Sequence, residues 1–169
     1  SRSGEVLFTT VPETTQPITP GTAHIITSLM KSVIQNGTAT KVRALKRPVA
    51  GKTGTTNNYV DAWFMGYTPE LVTGVWVGKD KDEPLGRNET GSRVAIPIWL
   101  QFMQEALANQ PKINFSVPKD IQFLKVQSES GEPAKFGDTD SNFELFSQDF
   151  LPAKEQPFAR KYEEESFEN

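Results

Sequence analysis

Residues 49–58 read VAGKTGTTNN, and two incompatible chemistries share that string. Gly51-Lys52-Thr53 has the ending of a phosphate-cradling loop, whereas Lys52-Thr53-Gly54-Thr55 has the form of a strand that offers a substrate a cation, hydroxyls and bare backbone. The phosphate reading fails on its neighbours. A loop of the G-x-x-x-x-G-K-[ST] type needs a glycine five positions before Gly51, because the backbone must curl round the phosphates. That position is Lys46, followed by Arg47 and Pro48. The lysine of such a loop also opens a helix, and here Gly54, two threonines and two asparagines follow instead. The strand reading survives. Pro48 to Thr55 forms an expected edge strand, since its leading proline lacks an N–H and its glycines weaken pairing. Lys52 supplies charge, Thr53 and Thr55 supply hydroxyls for a carboxylate, and Gly54 lets a substrate backbone lie close. A backbone N–H just beyond the glycine is placed to serve as an oxyanion donor. Strict alternation sends Lys52 and Thr53 to opposite faces. Both reach one cleft only if the strand twists or the cleft wraps its edge.

Working outward, Glu5 to Val11 reads as a short strand and Pro12 to Pro20 as a linker. Ile25, Ile26, Leu29, Met30, Val33 and Ile34 recur at helical spacing, which predicts a helix over Ala23 to Gln35 with Thr22 as N-cap and Gly37 as its stop. Asp61 to Thr68 and Leu71 to Gly78 are rich in aromatic and β-branched residues and flank Pro69-Glu70, the pattern of a β-hairpin. Trp63, Phe64 and Tyr67 are expected to pack in the core or on the sheet face, and Trp76 and Trp99 to join the third strand to the last helix. Asp61 is expected to fix the loop entering its strand. A polar loop from Lys79 to Arg93 leads to a helix over Ile96 to Leu107, with Pro97 in its first turn. Beyond Pro111 the texture changes: Ile121 to Val126 is a candidate strand, and the chain past about Ser147 is acidic and expected to be loosely held. Helix, three consecutive antiparallel strands, helix is an α+β order rather than alternating βαβ.

Composition sets the outer bounds. A chain of 169 residues suits one domain with a real core, and 36% hydrophobic content with 12 prolines predicts a modest core with long loops. No apolar run approaches the ~18 residues a membrane span needs, and the polar opening Ser1-Arg2-Ser3-Gly4-Glu5 has no signal-peptide pattern. With no cysteine and His24 as the one histidine, disulfides, thiolate metal sites and histidine clusters are excluded. His24 itself reads as a surface or helix-start residue. The net charge of −3 is unevenly spread: between Glu13 and Asp61 there are six bases and no acid, while 12 acids and 7 bases follow Asn109. Nucleic acid is not expected as a partner, because no aromatic residues interleave with the bases.

The stretch GKTGTTNNYVDAWFMGYTPELVTGVWVGKD, residues 51–80, closely resembles the transpeptidase domain of class A, bifunctional penicillin-binding proteins. The likeness extends back through the first helix to Asn36-Gly37-Thr38-Ala39. Forward, it runs through Arg93-Val94-Ala95-Ile96-Pro97-Ile98-Trp99 and less clearly to Phe150-Leu151-Pro152. It implies a penicillin-binding protein/serine β-lactamase-like fold and a serine that attacks the D-Ala-D-Ala bond of a peptidoglycan stem peptide. The acyl-enzyme passes its acyl group to an amine, and β-lactams acylate the same serine. The family uses S-x-x-K, S-x-N and K-T-G motifs, of which this chain matches the last, at Lys52, Thr53, Gly54 and Thr55. Those four are the residues carried over for substrate binding, with Lys52 and Thr55 also in catalytic roles. Ser28-Leu29-Met30-Lys31 is a formal S-x-x-K, but it lies mid-helix and only 21 residues before Lys52, in a segment the family places after its nucleophile. No S-x-N occurs.

Residues 1–110 are therefore expected to be the C-terminal half of a transpeptidase domain, carrying the K-T-G strand, the hairpin and the last helix. Residues 111–169 are expected to be an acidic, partly loosely ordered C-terminal extension. The nucleophile is expected outside the chain, and the segment alone is expected to be inactive. The resemblance implies stem peptide, β-lactams and the remaining part of the domain as partners, no cofactor, and an extracytoplasmic location anchored by a segment outside these residues. Two other readings stand beside it: a non-catalytic module whose acidic tail docks a cell-wall partner, and a piece of a monofunctional D,D-peptidase or β-lactamase.

Overall fold

A computed structural model describes residues 3–6, 8–9, 11 and 13–152. The first helix, α1 (Pro20–Asn36), starts earlier than the hydrophobic spacing alone predicts. Its N-cap is Thr19, whose hydroxyl accepts the Thr22 N–H at 3.1 Å, so Thr22 is a first-turn residue rather than the cap. Pro20 then occupies the first helical position, where its fixed φ fits and its missing N–H costs nothing. Gly37 closes the helix, donating to the Val33 carbonyl at 3.1 Å.

A 3-10 helix over Thr40–Leu45 leads to β1 (Ala50–Thr55), β2 (Ala62–Tyr67) and β3 (Val72–Val77). These strands form one antiparallel sheet in the order β1-β2-β3, with Thr53 opposite Phe64, Lys52 opposite Met65 and Trp63 opposite Trp76. Strand alternation then decides burial. Ala62, Phe64 and Gly66 are buried beneath α2 (Gly91–Ala106), while Trp63, Met65 and Trp76 are exposed on the other face.

Two expectations about aromatics therefore separate. Trp99 is fully buried, meets Phe64 edge-on with ring centroids 5.1 Å apart, and donates its indole N–H to the Thr73 carbonyl at 3.0 Å. Trp76 is 50% exposed and tilts against Trp63, so it is not a core contact to the last helix. Its strand parity puts it on the face away from α2.

The second helix also begins before its periodic apolar run, at Gly91, which moves Pro97 from the first turn into the interior. Pro97 sits on the exposed side, where solvent can take the carbonyl its ring leaves unpaired. Gly91, Ala95, Ile96, Trp99 and Met103 make the buried stripe at i, i+3 and i+4 spacing. The core gathers that stripe with Phe64, Ile34 of α1, and Val42 and Leu45 of the 3-10 helix.

The described residues of the 5–11 stretch form no strand, and Val6, Phe8 and Val11 are exposed. A short apolar run needs a partner edge to become a strand, and the described residues of this stretch pair with none. The candidate strand after Pro111 is present as β4 (Ile121–Gln127), and it gains an antiparallel partner that its sequence did not announce, β5 (Ser141–Ser147). The connection is held by Asp138, whose carboxylate accepts from Gln127 Nε2 at 3.1 Å and from the Lys135 N–H at 2.8 Å. Those two donors hold its pKa below the usual carboxylate value. β5 packs on α1. The expectation of a loosely held tail falls mostly on residues from 153 onward, outside the described residues.

Gly66 decides how closely α2 approaches. A Cβ there would lie 2.7 Å from both Phe64 Cε1 and Trp99 Cζ2, whereas one at Gly74 would meet only the flexible end of Met65 on the open face. Gly66→Ala is expected to destabilise by about 1–3 kcal/mol through overpacking, and Gly74→Ala by clearly less. Urea unfolding of both variants checks this: the midpoint should fall for Gly66→Ala with the slope unchanged.

Candidate active-site edge

β1 is an outer strand of its sheet, and one bond fixes which way its backbone faces. Thr56 N–H donates to the Asp61 carbonyl at 3.1 Å, just beyond the end of the β1–β2 ladder. Antiparallel pairing alternates residue by residue. Gly54 and Lys52 therefore turn their backbone groups toward β2, and Thr55, Thr53 and Gly51 turn theirs to the free edge. Thr55 thus presents an N–H, and Thr53 a carbonyl, on the open side of the sheet.

The side chains converge on that edge. Lys52 leaves the strand on the Met65 face and Thr53 on the Phe64 face, as alternation demands. The Lys52 stem nevertheless folds back so that Nζ donates to the Thr53 carbonyl at 2.8 Å. The fold-back of this side chain brings the ammonium to the strand edge. Thr53 Oγ1 shares a hydrogen bond of 2.8 Å with Thr38 Oγ1, from the turn after α1. Thr55 Oγ1 accepts the Gly91 N–H at 3.2 Å. The formal cap of α2, Thr90, makes no side-chain capping bond, so Thr55 caps the helix from the strand. Gly91 must be glycine for this contact: a Cβ there would lie 2.2 Å from the Trp63 carbonyl and 2.9 Å from that of Gly54.

The loop between β1 and β2 closes one end of the edge. Asp61 fastens it: its N–H donates to Thr56 Oγ1 at 2.8 Å, and its Oδ1 accepts the Trp76 indole N–H at 2.8 Å. Its expected role in fixing the loop is what the contacts describe. Asn58 and Tyr59 both sit in the left-handed region, with φ of 62° and 57°. That conformation is strained for a bulky residue, and strain of this kind persists only where the surroundings impose it. Here the Tyr59 carbonyl accepts the Leu85 N–H at 2.8 Å and its hydroxyl donates to Asn88 Oδ1 at 3.3 Å. The 79–90 loop is thereby tied to the end of β1. Thr38, Tyr59, Asn88 and Gly91 escape a reading by motif, because nothing in their local spacing shows that they meet β1.

Ser28 and Lys31 lie on α1 and face a groove of about 330 Å³ shared with His24, Phe115, Phe123 and Leu145. No residue of the Lys-Thr-Gly edge lines that groove. His24 is half-buried in the first turns of α1.

Helices packed on an antiparallel sheet, with Lys-Thr-Gly on a free strand edge, are the architecture of a transpeptidase domain. Residues 7–104 match the family described as the penicillin binding protein transpeptidase domain. Penicillin-binding protein 1A of Pseudomonas aeruginosa is 44% identical over 132 residues, which is 78% of this chain and 16% of that protein. The same-named protein of Aquifex aeolicus is 42% identical over 118 residues, 70% of this chain and 16% of its own length. The crystal structure of penicillin-binding protein 1A from Haemophilus influenzae superposes with a TM-score of 0.74 at 31% identity, covering 81% of this chain and 22% of that one. The chain belongs to the penicillin-binding protein transpeptidase family, with class A members as its relatives. It spans about one sixth of the length of these curated relatives.

The contact of Thr55 with the start of α2 can be tested by substitution. Thr55→Ala removes the acceptor at the start of α2 and is expected to cost about 1 kcal/mol of stability, the usual worth of a cap, while Thr55→Ser keeps the oxygen and should stay near wild type. Thermal melting of the two variants side by side is the measurement.

Proposed function

We propose that this chain supplies the substrate edge of a serine-type D,D-transpeptidase that cross-links peptidoglycan stem peptides and is acylated by β-lactams. The observation that carries the reading is the free edge of β1, where the Lys52 ammonium, the Thr53 carbonyl and the Thr55 N–H all face outward. A stem peptide ending in D-Ala-D-Ala adds alongside β1 as an extra strand, its main chain bonding to that edge. Gly54 leaves room for it. The terminal carboxylate is held by Lys52 through a charge-assisted contact. Thr53 and Thr55 direct it with their hydroxyl protons, because Thr55 is an acceptor toward Gly91 and keeps its own O–H to donate.

In the reaction, a serine outside this chain attacks the carbonyl carbon of the penultimate D-Ala. Negative charge then develops on the carbonyl oxygen, and the Thr55 N–H is one donor aimed at it. The C–N bond breaks, terminal D-Ala leaves with a proton on its amine, and an acyl-serine remains for an acceptor amine to take. The Lys52 ammonium at the β1 edge attracts the anionic peptide end. Residues 1–110 form the transpeptidase part in this reading and 111–169 extend it. The protein works outside the cytoplasm, anchored by a segment beyond these residues; among the described residues no helix is long and apolar enough to cross a membrane.

Lys52→Ala in the full-length protein is expected to slow β-lactam acylation about tenfold to a hundredfold, since a charge-assisted contact is worth roughly 1.5–3 kcal/mol. Melting temperature should not change, because the Lys52 side chain is exposed. Wild-type acylation by a fluorescent penicillin in an equally stable Lys52→Ala protein would remove the assignment. The 169-residue chain alone, whose formal S-x-x-K serines are Ser28 and Ser116, is expected to form no covalent penicillin adduct. Intact-mass spectrometry reads that directly, and a shift localised to Ser28 would reverse it.

A further inference from the structure

The six bases between Glu13 and Asp61 look like one positive face in sequence, and the fold divides them. Lys52 goes to the β1 edge and Lys41 stays out on the 3-10 helix. Lys31, Arg43, Lys46 and Arg47 meet in one hollow of about 270 Å³, where α1 faces the turn leading into β1. The meeting depends on Lys46, whose left-handed φ of 54° reverses the chain after the 3-10 helix and brings residues 43, 46 and 47 against Lys31.

The four cations are not equivalent. Arg47 is already engaged: it donates to the carbonyls of Leu107, Gln110 and Pro111 at 2.5, 2.6 and 2.7 Å, closing the C-terminal end of α2. It is a fixed wall of the hollow. Lys31, Arg43 and Lys46 have no carboxylate partner among the described residues. Three uncompensated cations held round one concavity repel each other, and an anion seated among them relieves that repulsion. The floor is different in kind: Ile34 and Val49 are buried and Pro48 lies beside them. Such a floor takes carbon rather than charge.

We infer that this hollow binds a phosphate ester, its phosphate between Lys31, Arg43 and Lys46 and its carbon stem on Ile34, Pro48 and Val49. Several convergent cations, one of them a guanidinium, favour a multiply charged oxyanion over a single carboxylate. The volume falls just below the ~300–1,000 Å³ of sites for drug-sized ligands, which suits a headgroup-sized molecule. No aromatic side chain lines the hollow, so a base has nothing to stack on. A soluble phosphate ester and the headgroup of an anionic lipid carry the same chemistry, and binding measurements tell them apart.

The test uses the full-length protein with two probes: glycerol 1-phosphate followed by calorimetry, and co-sedimentation with phosphatidylglycerol vesicles over a phosphatidylcholine baseline. Arg43→Glu/Lys46→Glu is expected to weaken binding at least tenfold, and the milder Arg43→Gln/Lys46→Gln several-fold. Lys81→Glu, which changes the charge as much as the glutamine pair does but outside the hollow, should leave it unaltered. Arg47 is left in place because it holds α2. Saturable binding of glycerol phosphate assigns a soluble ester, and a vesicle preference without it assigns a lipid. If the charge-reversed pair fails to melt cooperatively, the glutamine pair decides. The inference is overturned if neither probe binds above baseline, or if Lys81→Glu weakens binding as much as the paired variants.

Discussion

Trp99 occupies the space that a side chain at position 66 would fill, and the seating of α2 follows from that. The indole is too large to approach a sheet closely unless the strand beneath it offers a gap, and Gly66 provides one. Once seated, the ring is sealed from water, meets Phe64 edge-on and spends its N–H on the Thr73 carbonyl. Burying such a side chain with its polar atom satisfied is among the largest single contributions a small core can make. The same seating sets α2 along β2 and β3, so that its first residue arrives over the end of β1.

The candidate site inherits its geometry from that helix. Gly91 reaches the strand because it has no side chain, and Thr55 gives its N–H an acceptor. A residue carried over for catalysis thus also fastens the helix behind it, so the β1 edge is rigid where substrate is proposed to lie. Asp61, Trp76 and the left-handed Asn58-Tyr59 pair hold the next turn in a conformation that its own residues do not favour. Rigidity on both sides of an open edge preorganises it, and polar groups fixed in place before binding lose less when a ligand arrives.

Much of the fold was legible because burial writes periodicity into sequence. The β2–β3 hairpin, the register of apolar positions on both helices and the edge position of β1 follow from alternation, glycine and proline. The starts of α1 and α2 were misplaced because capping, not hydrophobic spacing, decides where a helix begins. Thr19 with Pro20, and Gly91 with a cap donated from a distant strand, lie outside the apolar runs. Trp76, expected in the core, lies on the open face because strand parity pairs it with Trp63 there. β5, Ser-Asn-Phe-Glu-Leu-Phe-Ser, stayed hidden because so mixed a segment becomes a strand only beside β4.

The amino-acid sequence by itself determined the family, through residues 51–80, and the chemical character of the Lys-Thr-Gly strand. It also excluded the phosphate-loop reading, because local backbone requirements are met or broken within a few residues. Only the tertiary structure decided that Lys52 and Thr53, sent to opposite faces by alternation, still meet at one edge. The capping of α2 by Thr55 and the convergence of Lys31 with Arg43 and Lys46 were likewise settled there. Each joins residues far apart in the chain or requires a flexible side chain to fold back, and neither event leaves a period, a motif or a composition that a linear reading can detect.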